Sequence, residues 1–253
     1  MNMMRFTTMK TKLRKYPSIF LILLLAISSC FLTGCVNQHP KDSKKSSQGE
    51  SVETMLEITD PKEKQAVLNA KAKVKALSGN PRIVATSPAV ADICDKLDLD
   101  LVGVPKSSVS KIPSRYKKVK KVGLAMSPDM EIVSSLNPDW ILAPSSLETD
   151  LKPKFEELKN TEYAFLNLRS VQGMYRSVQE LGEIFGKQQE AEKMTKEFTT
   201  FYKSYTKRNK NKKHPKVLVL MGLPGSYVIA TENSYVGSLV KLCLLYTSDA
   251  ADE

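Results

Sequence analysis

The sequence predicts an α/β protein of two lobes, each built on a parallel sheet, joined by a long linking helix, with the second lobe truncated. Three observations lead there. Between Pro81 and Leu166 short apolar runs alternate with helical patterns, the spacing of strands and crossover helices in a parallel sheet. One periodic segment, Val171 to Tyr205, is longer than a small sheet needs for cover. A new strand then opens at Lys216, and one or two strands cannot bury a core by themselves.

The elements follow in order. Asp60-Pro61 reads as cap and first residue of a Lys- and Ala-rich helix ending at Ser78-Gly79-Asn80, a surface or stalk helix with few large apolar residues. Arg82 to Thr86 is a strand. Ser87-Pro88 then supplies the cap and first position of a helix whose buried stripe is Val90, Ile93, Cys94 and Leu97. Leu101 to Val104 is the next strand, with Pro105-Lys106-Ser107-Ser108 as its polar exit, and Val119 to Val122 leads into a loop at Met126. Ser127 is expected to cap a helix with Pro128 in its first turn and Ile132, Val133 and Leu136 facing the sheet. Asn137-Pro138-Asp139 stops it, Trp140 to Ala143 is a buried strand, a helix runs through Phe155 and Leu158, and Tyr163 to Leu166 is a further strand.

Val171, Met174, Tyr175, Val178, Leu181, Ile184 and Phe185, then Met194, Phe198, Phe201, Tyr202 and Tyr205, recur at three- and four-residue steps. Gly182 and Gly186 are read as interruptions that do not break the pattern, which makes one rod on the order of 50 Å long, a bridge between lobes. Lys207 to Lys213 is its charged exit, read as a solvated face. Lys216 to Met221, a hairpin strand Ser226 to Ala230, and a helix Ser234 to Leu242 open the second lobe. The last eleven residues, Cys243 to Glu253, look like the translation of a transposase sequencing adapter and are read as foreign to the protein.

The start of the chain is a targeting segment. Arg5, Lys10, Lys12, Arg14 and Lys15 precede the apolar run Ile19 to Ile27, too short for a permanent span and shaped as an export signal. It ends in Leu32-Thr33-Gly34-Cys35, which matches the lipobox of bacterial lipoproteins and implies cleavage before Cys35 and acylation of that cysteine. Val36 to Ser51, rich in Lys, Ser and Gln, is a solvated tether. The expected organisation is therefore a signal peptide (1–34), tether (35–59), surface helix (60–79), N-terminal lobe (80–169), linking helix (170–213), start of the C-terminal lobe (214–242) and the foreign tail (243–253). The protein is expected on the outer face of the cell membrane, held by lipid. No disulfide pair remains once Cys30 leaves with the signal and Cys35 carries lipid, and no CxxC or HxxxH cassette is present. The formal charge of +11 suits an anionic envelope or an acidic ligand; nucleic acid is not expected as a partner of an exported chain.

Four small, hydroxyl-rich loops leave the carboxyl ends of the strands: Thr86 to Ala89, Pro105 to Ser108, Ala125 to Ser127, and Ala143 to Ser146. In open α/β sheets ligands bind at such a rim, and free N–H groups at helix N-termini there would receive carboxylates. Each Ser alone is most simply a cap; four loops on one rim are harder to explain so. Met126 adds a thioether, which binds soft or borderline metals and haem iron above all, although a methionine taken alone is more often a core filler. A soft ligand among carboxylate acceptors points to a flat metal chelate bearing carboxylates, and haem fits.

The run Arg82 to Leu97, the Met126 loop, Pro128 to Leu142, the linking segment, and Met221-Gly222-Leu223-Pro224-Gly225-Ser226-Tyr227 together resemble class III solute-binding lipoproteins, whose fold is the two-lobed periplasmic-binding-protein type. Within that class the likeness is to the haem receptor lipoproteins, component E, of Gram-positive iron-regulated surface determinant systems, over about Pro81 to Leu242. The resemblance implies Met126 as an axial ligand of haem b carried as cargo. It places Pro88 and Ala89 at the propionate side of the first helix start, and Ser107 and Ser108 on the second loop. Pro88 has no N–H and could give only shape, and Ser108 stands where relatives can carry an aromatic. The family's second axial ligand is a histidine in the distal lobe; neither His39, in the tether, nor His214, expected to be exposed at the helix exit, matches it, so weak or five-coordinate haem binding is implied. The partners implied are an ABC permease with its ATPase and cell-surface haem donor proteins. A ferric siderophore or cobalamin receptor of the same fold is the alternative. An enzyme is not expected, since no His or paired carboxylates join the loop serines, and c-type attachment lacks its Cys-x-x-Cys-His.

Overall fold

The structure, a computed structural model, describes residues 56–243 and 245–247. The signal peptide, Cys35 and nearly all of the tether lie outside the described residues, as do Leu244 and residues 248–253 of the terminal stretch. Among the described residues no helix is long and apolar enough to cross a membrane.

The centre is a five-stranded, wholly parallel sheet. Its strands are β1 (Ile83–Ala85), β2 (Leu101–Val104), β3 (Lys120–Lys121), β6 (Trp140–Pro144) and β7 (Glu162–Leu166), in the order β3-β2-β1-β6-β7. Every residue of β1 and β6 is buried, as expected where helices cover both faces. Alternation divides the core in two. Ile83, Ala85, Trp140 and Leu142 pack with Val90 and Cys94 of α2 (Pro88–Lys96), with Leu97 at its C-cap, and with Val178, Leu181 and Ile184 of α5 (Val171–Phe185). Val84, Ile141 and Ala143 face the other way, onto Val133 of α3 (Met130–Ser135) and onto Leu151 and Phe155 of α4 (Glu148–Glu156). Phe185 meets Trp140 edge to face at 5.6 Å, an arrangement that adds about 1 kcal/mol beyond burial. Cys94 is fully buried, and that burial pushes its thiol up to about 12.

The starts of β1 and β6 are clasped. Arg82 N–H donates to Asp139 Oδ2 (2.7 Å), Asp139 N–H donates to the Arg82 carbonyl (2.9 Å), and the Arg82 guanidinium donates to the Leu136 carbonyl (2.7 Å). Asn137, at φ 43°, makes the turn between α3 and this clasp.

Expectation and structure part at two helices. Ser127 does not cap α3: it belongs to a short strand, and Asp129 caps instead, its Oδ1 accepting from Glu131 and Ile132 N–H at 3.1 Å each. Pro128 accordingly sits before the cap rather than in the first turn. The single linking rod is likewise two helices, α5 and α6 (Gln188–Asn209), because Gly186 turns left-handed (φ 71°) and ends α5. The chain doubles back there, so that Tyr175 stacks on Phe198 at 4.5 Å. The apolar period runs on through the reversal because α6 lays its own stripe against α5. Gly182 allows the close crossing: a Cβ there would lie 2.7 Å from Ala191 Cβ. The element that leads out of the first lobe is thus α6 alone, about 33 Å long at 1.5 Å per residue.

The N-terminal helix α1 (Pro61–Lys75) lies on α5. Asp60 caps it, accepting from Lys62 N–H at 2.8 Å. Val67, Ala70 and Val74 turn inward, and Lys71 pairs with Glu183 and Lys73 with Glu162. It is a docked surface helix rather than a stalk.

After α6 the expected strand Lys216 to Met221 is split, since its parts take different partners. β8 (Lys216–Val217) pairs in parallel with β11 (Tyr246–Thr247), inside the terminal stretch, while β9 (Leu220–Leu223) forms a hairpin with β10 (Ser226–Ile229). Pro224-Gly225, with Gly225 at φ 78°, is a type II turn. Ser234 caps α7 (Tyr235–Leu242) as expected, accepting from Gly237 N–H at 3.1 Å, and Ser238 Oγ accepts from Val171 N–H at the start of α5.

The α1–α5 contact carries a pH dependence. Burial, then a hydrogen bond to Glu63 of α1 and the nearness of its carboxylate, raise Glu180 of α5 to about 8 against the opposing pull of Arg176. Between the ordinary glutamate range and pH 8 the unfolded chain releases this proton while the folded one keeps it, so stability falls as pH rises through that window. With partial solvent screening the loss is about 1–2 kcal/mol. Urea unfolding at a series of pH values should show this decline, and Glu180→Gln should flatten it. Gly182→Ala should lower the urea midpoint by the equivalent of about 1–3 kcal/mol through overpacking at the α5–α6 crossing.

Candidate functional site

The strand order reverses between β1 and β6, which opens the crevice of an α/β sheet at its carboxyl rim. Thr86 closes the floor of that crevice, its N–H (3.0 Å) and Oγ1 (3.3 Å) both donating to the Leu142 carbonyl. The sequence-predicted residues leave consecutive strands on one side of it: Pro88 and Ala89 after β1, Ser107 and Ser108 after β2, and Met126 after β3. Ser145 and Ser146 follow β6 on the other side, in a 3₁₀ turn with no side-chain cap.

Met126 stands at the tip of a hairpin between β4 (Gly123–Leu124) and β5 (Ser127–Pro128). Neither Ala125 nor Met126 takes a positive φ, so the turn is not one of the primed types that match strand twist, and the strands part after two residues. The thioether is held away from the core, 73% exposed, beside Leu124 at 58%. Three hydrogen bonds fix the base: Val122 N–H to the Val104 carbonyl (2.9 Å), Lys106 N–H to the Gly123 carbonyl (2.6 Å), and Asp129 N–H to the Val122 carbonyl (2.8 Å). Gly123 is required by its φ of 96° and by crowding, for a Cβ would lie 2.9 Å from Asp129 N. Sequence reasoning singled out Met126 but neither Gly123 nor Asp129. The signal available was a glycine and an Asp-Met-Glu run bracketing the loop.

At the β1 exit Ser87 is a buried cap, its Oγ accepting from Val90 N–H (3.3 Å) while its carbonyl accepts from Ala91 N–H. Pro88, half-buried, has no N–H to give. That leaves Ala89, exposed, as the first-turn donor with no acceptor among the described residues, at the positive end of α2. Ser107 Oγ accepts from Ser110 N–H (3.0 Å), a turn bond, and Ser108 is exposed. His214, past the end of α6, is half-buried rather than exposed. No group of three or more His, Cys, Asp or Glu able to hold a metal ion occurs among the described residues. A flat ligand bearing a soft metal and carboxylates would therefore find one thioether, a flanking leucine and one unused helix N–H on this rim.

The parallel sheet and its reversal point agree with the family match: the chain belongs to the periplasmic binding protein family, whose profile matches residues 83–252. The high-affinity heme uptake system protein IsdE of Staphylococcus aureus strain Newman is 40% identical over 166 residues, which cover 65% of this chain and 56% of that one. The crystal structure of an ABC transporter substrate-binding protein from Listeria monocytogenes EGD-e shares 42% identity at a TM-score of 0.64, over 69% of this chain and 67% of its own. The crystal structure of S. aureus IsdE complexed with heme shares 35% identity at a TM-score of 0.62, over 69% and 71%. The chain thus spans little more than half the length of the curated relatives it matches.

Gly123→Ala is expected to displace the hairpin, since both its φ and its surroundings exclude a Cβ. A loss of about 1–3 kcal/mol in urea unfolding, together with altered amide shifts at Lys106 and Asp129 in NMR spectra, is the outcome to look for.

Proposed function

We propose that this protein is a haem receptor of an ABC importer, held by a lipid on Cys35 at the outer face of the cell membrane. It accepts haem b as cargo from cell-surface donor proteins and passes it to a permease driven by its ATPase. The observation that carries this reading is the Met126 thioether, placed on a fixed hairpin at the carboxyl rim of the sheet and left largely exposed. A filler methionine would be buried; this one is available to iron. The name of the S. aureus relative and the heme in its crystal structure support the reading.

Each residue has a part. Met126 Sδ would be the donor to the iron, and the exposed Leu124 beside it would offer the porphyrin an apolar surface. Ala89 N–H and the positive end of α2 receive a propionate, Pro88 shapes that contact, and Ser107 and Ser108 serve the second. A ferric siderophore or cobalamin would make no use of the sulfur, so Met126→Ala separates the two ideas.

Titration with hemin followed in the Soret region tests this. The protein should give a bound spectrum, and Met126→Ala should lose the thioether-ligated form and weaken binding by about tenfold or more, equivalent to about 1.4 kcal/mol. Met126→Leu, matched in size, should behave as the alanine does. Unchanged spectra in both variants would remove Met126 as a ligand.

A further inference from the structure

The stretch of chain that forms the sheet edge and the Met126 hairpin carries cations alone. From Leu101 to Pro128 there is no Asp or Glu, yet there are seven cations: Lys106, Lys111, Arg115, Lys117, Lys118, Lys120 and Lys121. Arg115 is neutralised locally, donating to Asp98 (2.8 Å) and Asp100 (2.7 Å). The six lysines form no ion pair among the described residues. All are exposed except the half-buried Lys121.

Topology sets five of them in a row, and Lys111 lies in the loop that continues from Lys106. Lys117 and Lys118 lead into β3, Lys120 lies opposite Gly103, and Lys121 lies opposite Val104 at the end of β2. Lys106 follows, tied by its own N–H to Gly123 at the hairpin base. The row therefore climbs the sheet edge and ends beside Met126. Lysines on an edge strand guard it against pairing with other chains, which accounts for Lys120 and Lys121. It does not account for Lys106 and Lys111, which lie in the loop after β2. The carboxylate that next follows in the chain, Asp129, is turned into the N-terminus of α3 as its cap.

We propose that this lysine row steers a carboxylate-bearing porphyrin to the Met126 rim, raising the rate of capture without holding the cargo once it is bound. The inference rests on the reading of haem as cargo and adds a charge-selective approach to it. A surface of one sign raises the association rate of an opposite charge by about 10–1,000-fold at low salt. Flexible, hydrated lysines add little to an equilibrium contact, so the effect belongs to association and not to dissociation. It should fade as the Debye length shrinks from about 20–30 Å to under 10 Å.

Stopped-flow fluorescence with zinc protoporphyrin, which carries two carboxylates, and with its uncharged dimethyl ester tests this on the full chain. Raising salt from about 20 mM to about 200 mM should slow capture of the dicarboxylate about tenfold and leave the ester unchanged. The triple variant K106Q/K111Q/K121Q should slow the dicarboxylate severalfold at low salt with its dissociation rate unaltered. The matched variant K106R/K111R/K121R should restore the rate, which a purely structural role for lysine would not. Salt-independent capture, equal losses for acid and ester, or a change confined to dissociation would each overturn the proposal while leaving the haem reading intact. Failure of zinc protoporphyrin to bind the unsubstituted chain would overturn both together.

Discussion

Three residues hold the first lobe together. Ile83, Val84 and Ala85 form the middle strand, paired in parallel to β2 on one side and β6 on the other, and none reaches solvent. Successive side chains point to opposite faces, so this short strand contributes to both halves of the core. Everything at the rim is measured from its end. Thr86 is bonded to β6, Ser87 caps α2, and the loop after β2 carries the Met126 hairpin through Lys106. The ligand rim is a consequence of strand order: loops far apart in sequence share one end because all five strands run the same way.

Much of this was legible in the residues. The inner strands β1, β2 and β6 are continuous apolar runs, the pattern of strands buried on both faces. Asp60-Pro61, Ser87-Pro88 and Ser234 announced their helices through cap chemistry, and each cap accepts the hydrogen bond expected of it. Met126, just ahead of the expected cap Ser127, reads as a loop residue, and it stands at a hairpin tip although the cap is Asp129.

What was not legible depended on choices that local pattern leaves open. Ser127-Pro128 and Asp129 both offer a cap, and the decision went to Asp129 because Asp129 N–H is fixed to the Val122 carbonyl and Ser127 is needed opposite Leu124. Apolar spacing could not tell one rod from two helices folded on each other, since a stripe looks the same in either. The deciding facts were the left-handed turn at Gly186 and the close crossing at Gly182. The split of the strand after Lys216 depended on partners distant in sequence, which no local window contains.

The clasp between Arg82 and Asp139 also bears on how the chain acquires its shape. It joins groups 57 positions apart, and β1 has no partner on its β6 side until the later of the two has been made. A nascent chain therefore presents β1, β2 and β3 as an unsupported half-sheet whose loop-closure entropy must be met before the centre is sealed, which is the slow class of topology. Late closure thus leaves the centre of the lobe unsealed for as long as its second half is still missing.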